Sequence, residues 1–204
     1  MEFNTLIDRK AETDRITDAL HRDDTQFIVI YGRRRIGKST LIKHIVNARK
    51  QAVYFLSDTS VEAVQRAAFS KSVAMVIDGF DKVVYPDWES LFRSMNNQLS
   101  ERIIVCIDEF PYLVKSCDVL PSVIQKLLNE KKLKFDLILC GSSQQLMHGY
   151  VLNRQSPLYG LANEIIKMRP IPARYIGEAM ECDAVQAVEE FAVWGGVPRY
   201  WELR

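Results

Sequence analysis

The sequence predicts an α/β fold built on a mainly parallel sheet, and two observations support this fold class. Short apolar runs of strand length alternate with segments whose apolar residues repeat at helical spacing. Such alternation is typical of parallel strands joined by right-handed helical crossovers. In addition, glycine-rich, serine-rich or acidic residues directly follow three of the apolar runs. Because parallel strands end at one edge of a sheet, these residues are expected to converge there.

Five strands alternate with the predicted helices. The predicted strands are residues 26–31, 52–56, 102–107, 135–140 and 164–168. The predicted helices are residues 10–21, 40–48, 61–80, 87–99 and 118–131, followed by helices alone in 174–204. The segment Arg169-Pro170-Ile171-Pro172 predicts a boundary, so we expect a core of residues 1–172 and a helical appendage of residues 173–204. The appendage is too short to bury a core of its own and is expected to pack on the sheet.

Composition argues against several classes of protein. The 204 residues are 48% hydrophobic, which is enough for a real core, and the formal net charge of +1 gives no global attraction to nucleic acid or anionic membranes. No apolar run approaches the ~20 residues of a bilayer span, and the N-terminal residues lack the apolar centre of a signal peptide. The cysteines form no C-x-x-C pair, so we expect reduced thiols in a cytoplasmic protein and no zinc site. They are Cys106, Cys117, Cys140 and Cys182.

A phosphate-binding loop is predicted directly after the first strand, because residues 32–39 match the pattern G-x-x-x-x-G-K-[ST]. Its two glycines are expected to permit backbone angles that turn N–H groups toward an anion, and the next helix points its N-terminus at the same phosphates. Lys38 would neutralise the β- and γ-phosphates of ATP, and Ser39 would give one oxygen to Mg²⁺. The predicted nucleotide-binding residues of this loop are Gly32, Arg33, Arg34, Arg35, Ile36, Gly37, Lys38, Ser39 and Thr40.

The roles of the three loop arginines stay open at this point. They are either a solvated basic loop tip or contacts to an anion or partner beside the nucleotide.

Two carboxylates at the end of the third strand complete the predicted site. Asp108 is expected to hold Mg²⁺ through a bound water, and Glu109 to orient and polarise the attacking water. The fourth strand ends at Gly141-Ser142-Ser143, where a hydroxyl would touch the γ-phosphate or the water, or would cap the next helix. We therefore predict Lys38, Glu109 and Ser142 as catalytic residues, and Ser39 and Asp108 as metal ligands.

These motifs together resemble the archaeal-type ATPase family, in the STAND branch of the P-loop NTPases and related to AAA+ proteins. The string YGRRRIGKST at residues 31–40 is the most family-like segment, with Walker A character, and IDEFPYL at 107–113 follows as Walker B. Residues 6–12 resemble the N-terminal signature F-x-x-R-x-x-E, and residues 195–200 resemble GG-x-P-x-Y. Further family-like segments are PDW at 86–88, CGSS at 140–143 and SPLYG at 156–160.

The resemblance implies a P-loop NTPase sheet with the strand order 5-1-4-3-2 and a helical lid over adenine. It also implies that Arg9 and Pro198 lie near the adenine. Family members usually carry arginine where this sequence has Leu161, and they usually continue beyond the position of Arg204. We therefore expect weak hydrolysis and an incomplete, truncated lid.

The leading hypothesis is Mg²⁺-dependent hydrolysis of ATP to ADP and phosphate, used as a conformational switch. Alternatives are an ATP-binding module with little or no hydrolysis, a small-molecule or nucleotide kinase, and a DNA-associated ATPase. The near-neutral charge argues against DNA binding by this segment. The absence of an evident arginine-rich lid over a second substrate argues against a kinase. A protein partner or self-association is compatible with the sequence.

Overall fold

One parallel sheet forms the centre of the computed structural model, which describes residues 7–49 and 51–203. Its strands are β1 (Phe27–Tyr31), β2 (Ala52–Leu56), β3 (Ile103–Asp108), β4 (Phe135–Gly141) and β5 (Glu164–Lys167). The order is β2-β3-β4-β1-β5, and every neighbouring pair is parallel. Read from the other edge, this is the expected order 5-1-4-3-2, so the predicted fold class and strand order are confirmed.

Helices connect the strands and follow the last one. Those of the first half are α1 (Lys10–Leu20), α2 (Lys38–Asn47), α3 (Glu62–Ala74) and α4 (Trp88–Gln98). Those of the second half are α5 (Phe110–Ser116), α6 (Leu120–Asn129), α7 (Gln144–Met147), α8 (Ile176–Met180), α9 (Ala184–Trp194) and α10 (Pro198–Trp201). None of the helices among the described residues has the length and apolarity to cross a membrane.

Alternation along the strands divides the core into two layers. Odd-numbered residues of β1 and β3, such as Phe27 and Val105, join one cluster with α3 to α6, while even-numbered residues such as Ile28 and Cys106 join a second with α1 and α2. Both faces of the central strands are therefore covered, as their continuous apolar runs predicted. Cys106 and Cys140 are buried in the second cluster, as expected for small core residues.

The sequence prediction missed two short helices and extended one too far. It assigned no helix to the segments that form α5 and α7, because seven and four residues are too few to show a helical repeat. It extended the third helix to residue 80, whereas α3 ends at Ala74 and the chain then turns through Gly79 at a φ of 72°. The helix predicted for 118–131 is confirmed as α6, with slightly shorter bounds.

The C-terminal helices pack on the sheet domain through close contacts. The Ile171 N–H donates to the Gly196 carbonyl at 2.8 Å, and Val197 is buried in the cluster shared by α1, α2 and the sheet. Trp201 packs with Ile171 and Ile176 in a third, smaller cluster. Only helices occur in residues 174–203, as expected, and the boundary at residue 172 stays a prediction.

Gly196→Ala is expected to lower the free energy of unfolding by about 1–3 kcal/mol, the usual cost of overpacking. A Cβ at residue 196 would lie 2.8 Å from the Ile171 nitrogen and 2.9 Å from its carbonyl carbon, and both are backbone atoms that cannot rotate away. Thermal unfolding should show a decrease of roughly 2–4 °C per kcal/mol. Gly149→Ala is the matched control, since a Cβ there meets nothing within 4 Å. Equal midpoints for the two variants would contradict this packing.

Candidate functional site

The carboxyl ends of β1, β3 and β4 bring the predicted site residues to one edge of the sheet. The phosphate loop, residues 32–39, follows β1, Glu109 follows β3, and Ser142 follows β4. Their convergence follows from topology, since β4 lies between β1 and β3 in a parallel sheet.

The two loop glycines serve different purposes. Gly37 has a φ of 92°, a left-handed conformation that glycine adopts without strain, and it immediately precedes α2. Gly32 is not among the residues with positive φ; a Cβ there would lie 2.5 Å from the Met168 carbonyl oxygen and 2.7 Å from Ile36 Cδ1. Gly32 therefore does not share the left-handed conformation of Gly37, and close packing excludes a side chain there. That the two glycines turn N–H groups toward a phosphate stays a prediction.

Lys38 lies inside the curve of the phosphate loop. Its ammonium donates to the carbonyl oxygens of Gly32 at 3.0 Å and Arg33 at 2.8 Å, and the residue is only 5% exposed. Burial lowers the pKa of the Lys38 ammonium, while the carboxylates of Glu109 and Asp108 partly oppose that shift. A buried cation held by the loop itself is well placed to neutralise a phosphate.

Asp108 is fully buried, and its carboxylate accepts hydrogen bonds from three groups. Its Oδ2 accepts from the Ser39 hydroxyl at 2.6 Å and from the Tyr54 hydroxyl at 2.8 Å, and its Oδ1 accepts from the Glu109 N–H at 2.9 Å. Burial raises the pKa of the Tyr54 phenol, and the adjacent Asp108 carboxylate raises it further. Tyr54 therefore stays a hydrogen-bond donor at physiological pH and holds the carboxylate in place.

Ser39 and Asp108 fit the chemistry of a Mg²⁺ site. A hydroxyl and a carboxylate oxygen 2.6 Å apart, next to a phosphate loop, are the hard oxygen ligands that Mg²⁺ takes when it also binds substrate phosphates. Among the described residues, no group of three or more His, Cys, Asp or Glu side chains could hold a metal ion.

Glu109, Ser142 and Arg34 form a hydrogen-bonded chain beside the loop. The Ser142 hydroxyl donates to Glu109 Oε2 at 2.9 Å and accepts from Arg34 Nε at 3.2 Å. Arg34 also donates to the Tyr112 hydroxyl. Glu109 immediately precedes α5, and its backbone has a φ of 54° and a ψ of 37°. Residues other than glycine rarely adopt this left-handed conformation. The predicted general base, the serine and one loop arginine are thus brought together.

Two adjoining cavities open at this edge. The phosphate cavity, about 400 Å³, is lined by Arg34, Arg35, Gly37, Lys38, Ser39, Thr40, Glu109, Ser142, Pro198, Arg199 and Glu202. The side cavity, about 560 Å³, is lined by Arg33, Arg34, Glu109, Pro111, Tyr112, Lys115, Ser142, Ser143, Gln144 and Leu146. Among the described residues, Arg34, Glu109 and Ser142 line both cavities and so form their common boundary.

Arg9 and Pro198 occupy different environments. Pro198 lines the phosphate cavity, whereas Arg9 is buried and donates to the carbonyl oxygens of Ile36 and Arg169, both at 2.9 Å. Arg9 therefore connects the backbone of the phosphate loop to the segment that follows β5. Its contact with adenine, like that of Pro198, stays a prediction. Leu6, part of the N-terminal signature, lies outside the described residues.

The two serines after β4 make different contacts. Ser143 caps α7, since its hydroxyl accepts from the Leu146 N–H at 3.4 Å, while Ser142 contacts Glu109. The helix cap is therefore made by Ser143, while contact of Ser142 with the γ-phosphate or the attacking water stays a prediction.

Leu161 lies at the opposite end of the sheet from the phosphate loop. It precedes β5 by three residues, and β5 begins level with Ile28 at the start of β1. About four strand residues, or roughly 13 Å, separate that level from Gly32. Leu161 instead packs against the first core cluster. An arginine at position 161 could not reach the phosphate loop of its own chain. The absence of an arginine there would therefore slow hydrolysis only if one copy of the chain completed the site of another. The expected weak hydrolysis stays a prediction.

Sequence reasoning missed Tyr54 and Tyr112. Tyr54 lies opposite Cys106 in the β2–β3 pairing, and alternation places Cys106 on the same face as Asp108. That signal exists only when the strand pairing is known. Tyr112 lies on α5, which the prediction did not contain.

Comparison with known families supports an ATPase domain. A family model described as "ATPase domain predominantly from Archaea" matches residues 6–191. The uncharacterized protein MJECL04 of Methanocaldococcus jannaschii is 34% identical over 200 residues, which are 97% of this chain and 43% of that protein. This chain therefore spans less than half the length of that relative.

Solved structures show the same fold at low identity. The Aeropyrum pernix ORC1 protein, solved in complex with DNA, has a TM-score of 0.62 at 16% identity over 92% of this chain and 50% of its own. The Aeropyrum pernix ORC2 protein, solved with ADPNP and ADP, has a TM-score of 0.62 at 14% identity, covering 90% and 52%. The Thermotoga maritima RuvB branch migration motor has 0.53 at 16% identity, covering 86% and 50%.

Proposed function

Because this chain belongs to the family of ATPase domains found predominantly in Archaea, we propose that it binds ATP with Mg²⁺ and hydrolyses it to ADP and phosphate. The hydrogen bond between Ser39 and Asp108, 2.6 Å long and adjacent to buried Lys38, carries this proposal. It joins the two predicted metal ligands beside the cation that would hold the phosphates.

Each residue has a distinct role in the proposed reaction. The phosphate loop binds the triphosphate through its N–H groups and Lys38. Mg²⁺, held by Ser39 and Asp108, would supply positive charge to the phosphate oxygens. Glu109 polarises the attacking water, and Ser142 holds the Glu109 carboxylate in place. Tyr54 helps to hold the Asp108 carboxylate, since its hydroxyl donates to the same oxygen, Oδ2, as Ser39 does.

We also propose that nucleotide acts through the C-terminal helices. Pro198, Arg199 and Glu202 line the phosphate cavity, and Gly196 ties the same segment to Ile171 after β5. A nucleotide contacting these residues would favour one position of residues 173–204, which is the requirement for a conformational switch of the STAND type. We propose a cytoplasmic protein that acts on a protein partner or a second copy.

An ATP-binding module with little hydrolysis is the second candidate, and Leu161 favours it if catalysis requires an arginine from another copy. A nucleic-acid contact of this segment is not proposed, because its net charge is +1.

Separate measurements of ATP affinity and of single-turnover hydrolysis test the proposal. We expect tight binding only with Mg²⁺, and a rate below the ~10 s⁻¹ median of enzymes. Binding with unchanged affinity in EDTA would contradict the metal assignment. Binding without any phosphate release would support the module instead, and absence of binding would refute both.

A further inference from the structure

Arg34 stands at the boundary between the place for the phosphates and the place for the attacking water. It is two residues beyond Gly32, on the loop that curves around Lys38, and it lines both cavities together with Glu109 and Ser142. A water polarised by Glu109 must meet the terminal phosphoryl group near this boundary. The guanidinium of Arg34 therefore lies next to the reacting atoms of the proposed hydrolysis.

We propose that Arg34 is a catalytic residue that supplies, from within the same chain, the positive charge stabilising the γ-phosphoryl group during its transfer to water. In this step a bond forms between the water oxygen and the γ-phosphorus, and the bond from that phosphorus to the β–γ bridging oxygen breaks. ADP leaves with the bond's electron pair, and the water proton passes to Glu109. The inference rests on the proposed ATP hydrolysis.

Hydrogen bonds already orient the Arg34 side chain for this role. Its Nε donates to Ser142 Oγ at 3.2 Å, and a terminal nitrogen donates to the Tyr112 hydroxyl. A guanidinium has five N–H donors, so these two contacts leave enough for a bidentate contact with phosphate oxygens. Because Ser142 also donates to Glu109, one serine fixes the cation relative to the general base.

The neighbouring cations are arranged differently. Arg33 lines the side cavity and Arg35 the phosphate cavity, where the Arg35 guanidinium lies 5.9 Å from the ring centre of Tyr200. Arg34 alone among the described arginines lines both cavities. The proximity of Arg34 also contributes to the lowered pKa of Lys38, whose main cause is burial. The two cations therefore act on the same small volume.

The test compares the parent with Arg34→Gln, Arg34→Lys and Lys71→Gln in single-turnover hydrolysis at saturating Mg·ATP. Arg34→Gln is expected to lower the rate by at least ~10²-fold, a lower bound set beneath the ~10³–10⁵ that an arginine contributes in phosphoryl transfer. ATP affinity should change less than tenfold. Arg34→Lys should recover only part of the rate, since a point charge lacks the fork of donors. Lys71→Gln removes a charge from the exposed surface of α3, which lines neither cavity, and should leave the rate nearly unchanged.

Binding of ADP with aluminium fluoride, which mimics the transferring phosphoryl group, is the second readout. Arg34→Gln should weaken this binding by about the factor lost in rate, while affinity for ADP alone stays within tenfold. Arg34 is exposed, so the variant should keep the parent unfolding temperature. Equal losses in ADP and ATP affinity with an unchanged rate would overturn the inference, and so would a loss of rate for Lys71→Gln equal to that for Arg34→Gln.

The two failures are distinguishable. A parent that hydrolyses ATP while Arg34→Gln does so equally well contradicts only the role of Arg34. A parent that neither hydrolyses ATP nor binds aluminium fluoride with ADP contradicts the proposed function and the inference together.

Discussion

Lys38→Ala is expected to weaken Mg·ATP binding by roughly 30- to 4,000-fold, or about 2–5 kcal/mol, the usual cost of removing one partner of a buried charge pair. Lys38 is 5% exposed, and it lies inside the loop that is proposed to surround the phosphates. Without it, the loop N–H groups, Mg²⁺ and Arg34 would have to balance the charge of the phosphates. Titration with a fluorescent ATP analogue in the presence of Mg²⁺ measures the change.

The Lys38→Ala variant should still fold. Burial lowers the pKa of Lys38 in the folded chain, so its charged form destabilises the fold at every pH below that lowered value. This cost decreases as the pH rises above the folded-state pKa and vanishes only above the unfolded-state pKa. At neutral pH its removal therefore offsets the loss of two hydrogen bonds to loop carbonyls. Lys71→Ala, on the exposed side of α3, is the control. A folded Lys38→Ala that binds ATP as tightly as the control would refute the phosphate-loop assignment.

Glu109→Gln is expected to lower single-turnover hydrolysis by roughly 10²–10⁴-fold, the range for loss of a general base. Glutamine keeps an oxygen that can accept the hydrogen bond from Ser142, so the loop geometry and ATP affinity should survive. Its amide cannot take a proton from water, and the chemical step should therefore fail while binding persists. Rapid-quench measurement with limiting ATP separates these two quantities.

Two further variants test whether the effect is specific to Glu109. Glu130→Gln alters a carboxylate of the same type that pairs with Arg93 on the surface, and it should keep the parent rate. Asp108→Asn should instead increase the Mg²⁺ concentration needed for half-maximal binding, since Asp108 contacts Ser39. If Glu109→Gln turned over ATP at the parent rate, another group would have to activate the water.

The sequence sufficed to place residues that belong to a local motif at the carboxyl ends of the strands. Gly37, Lys38 and Ser39 follow one another at the junction of β1 and α2, and Asp108 and Glu109 end an apolar strand. Residues whose role depends on strand pairing or on a short helix could not be found in this way. Tyr54 reaches Asp108 only because β2 lies next to β3, and Tyr112 meets Arg34 only because seven residues form α5.

The resemblance to a family gave an incomplete account of two other residues. It implied a place near adenine for Arg9, which the structure shows buried against the carbonyl oxygens of Ile36 and Arg169. It gave weight to Leu161, which the β1–β5 register places far from the phosphates. Both roles depend on long-range contacts that residue spacing does not record.

The left-handed backbone at Glu109 has an evolutionary consequence. A side chain in that conformation costs roughly 1–2 kcal/mol that glycine would not pay. Selection for stability alone would therefore favour glycine or asparagine immediately after β3. A glutamate at this position is stable enough to persist but is not the residue that folding prefers. Its presence is what selection for chemistry at the end of β3, acting against selection for the fold, would produce.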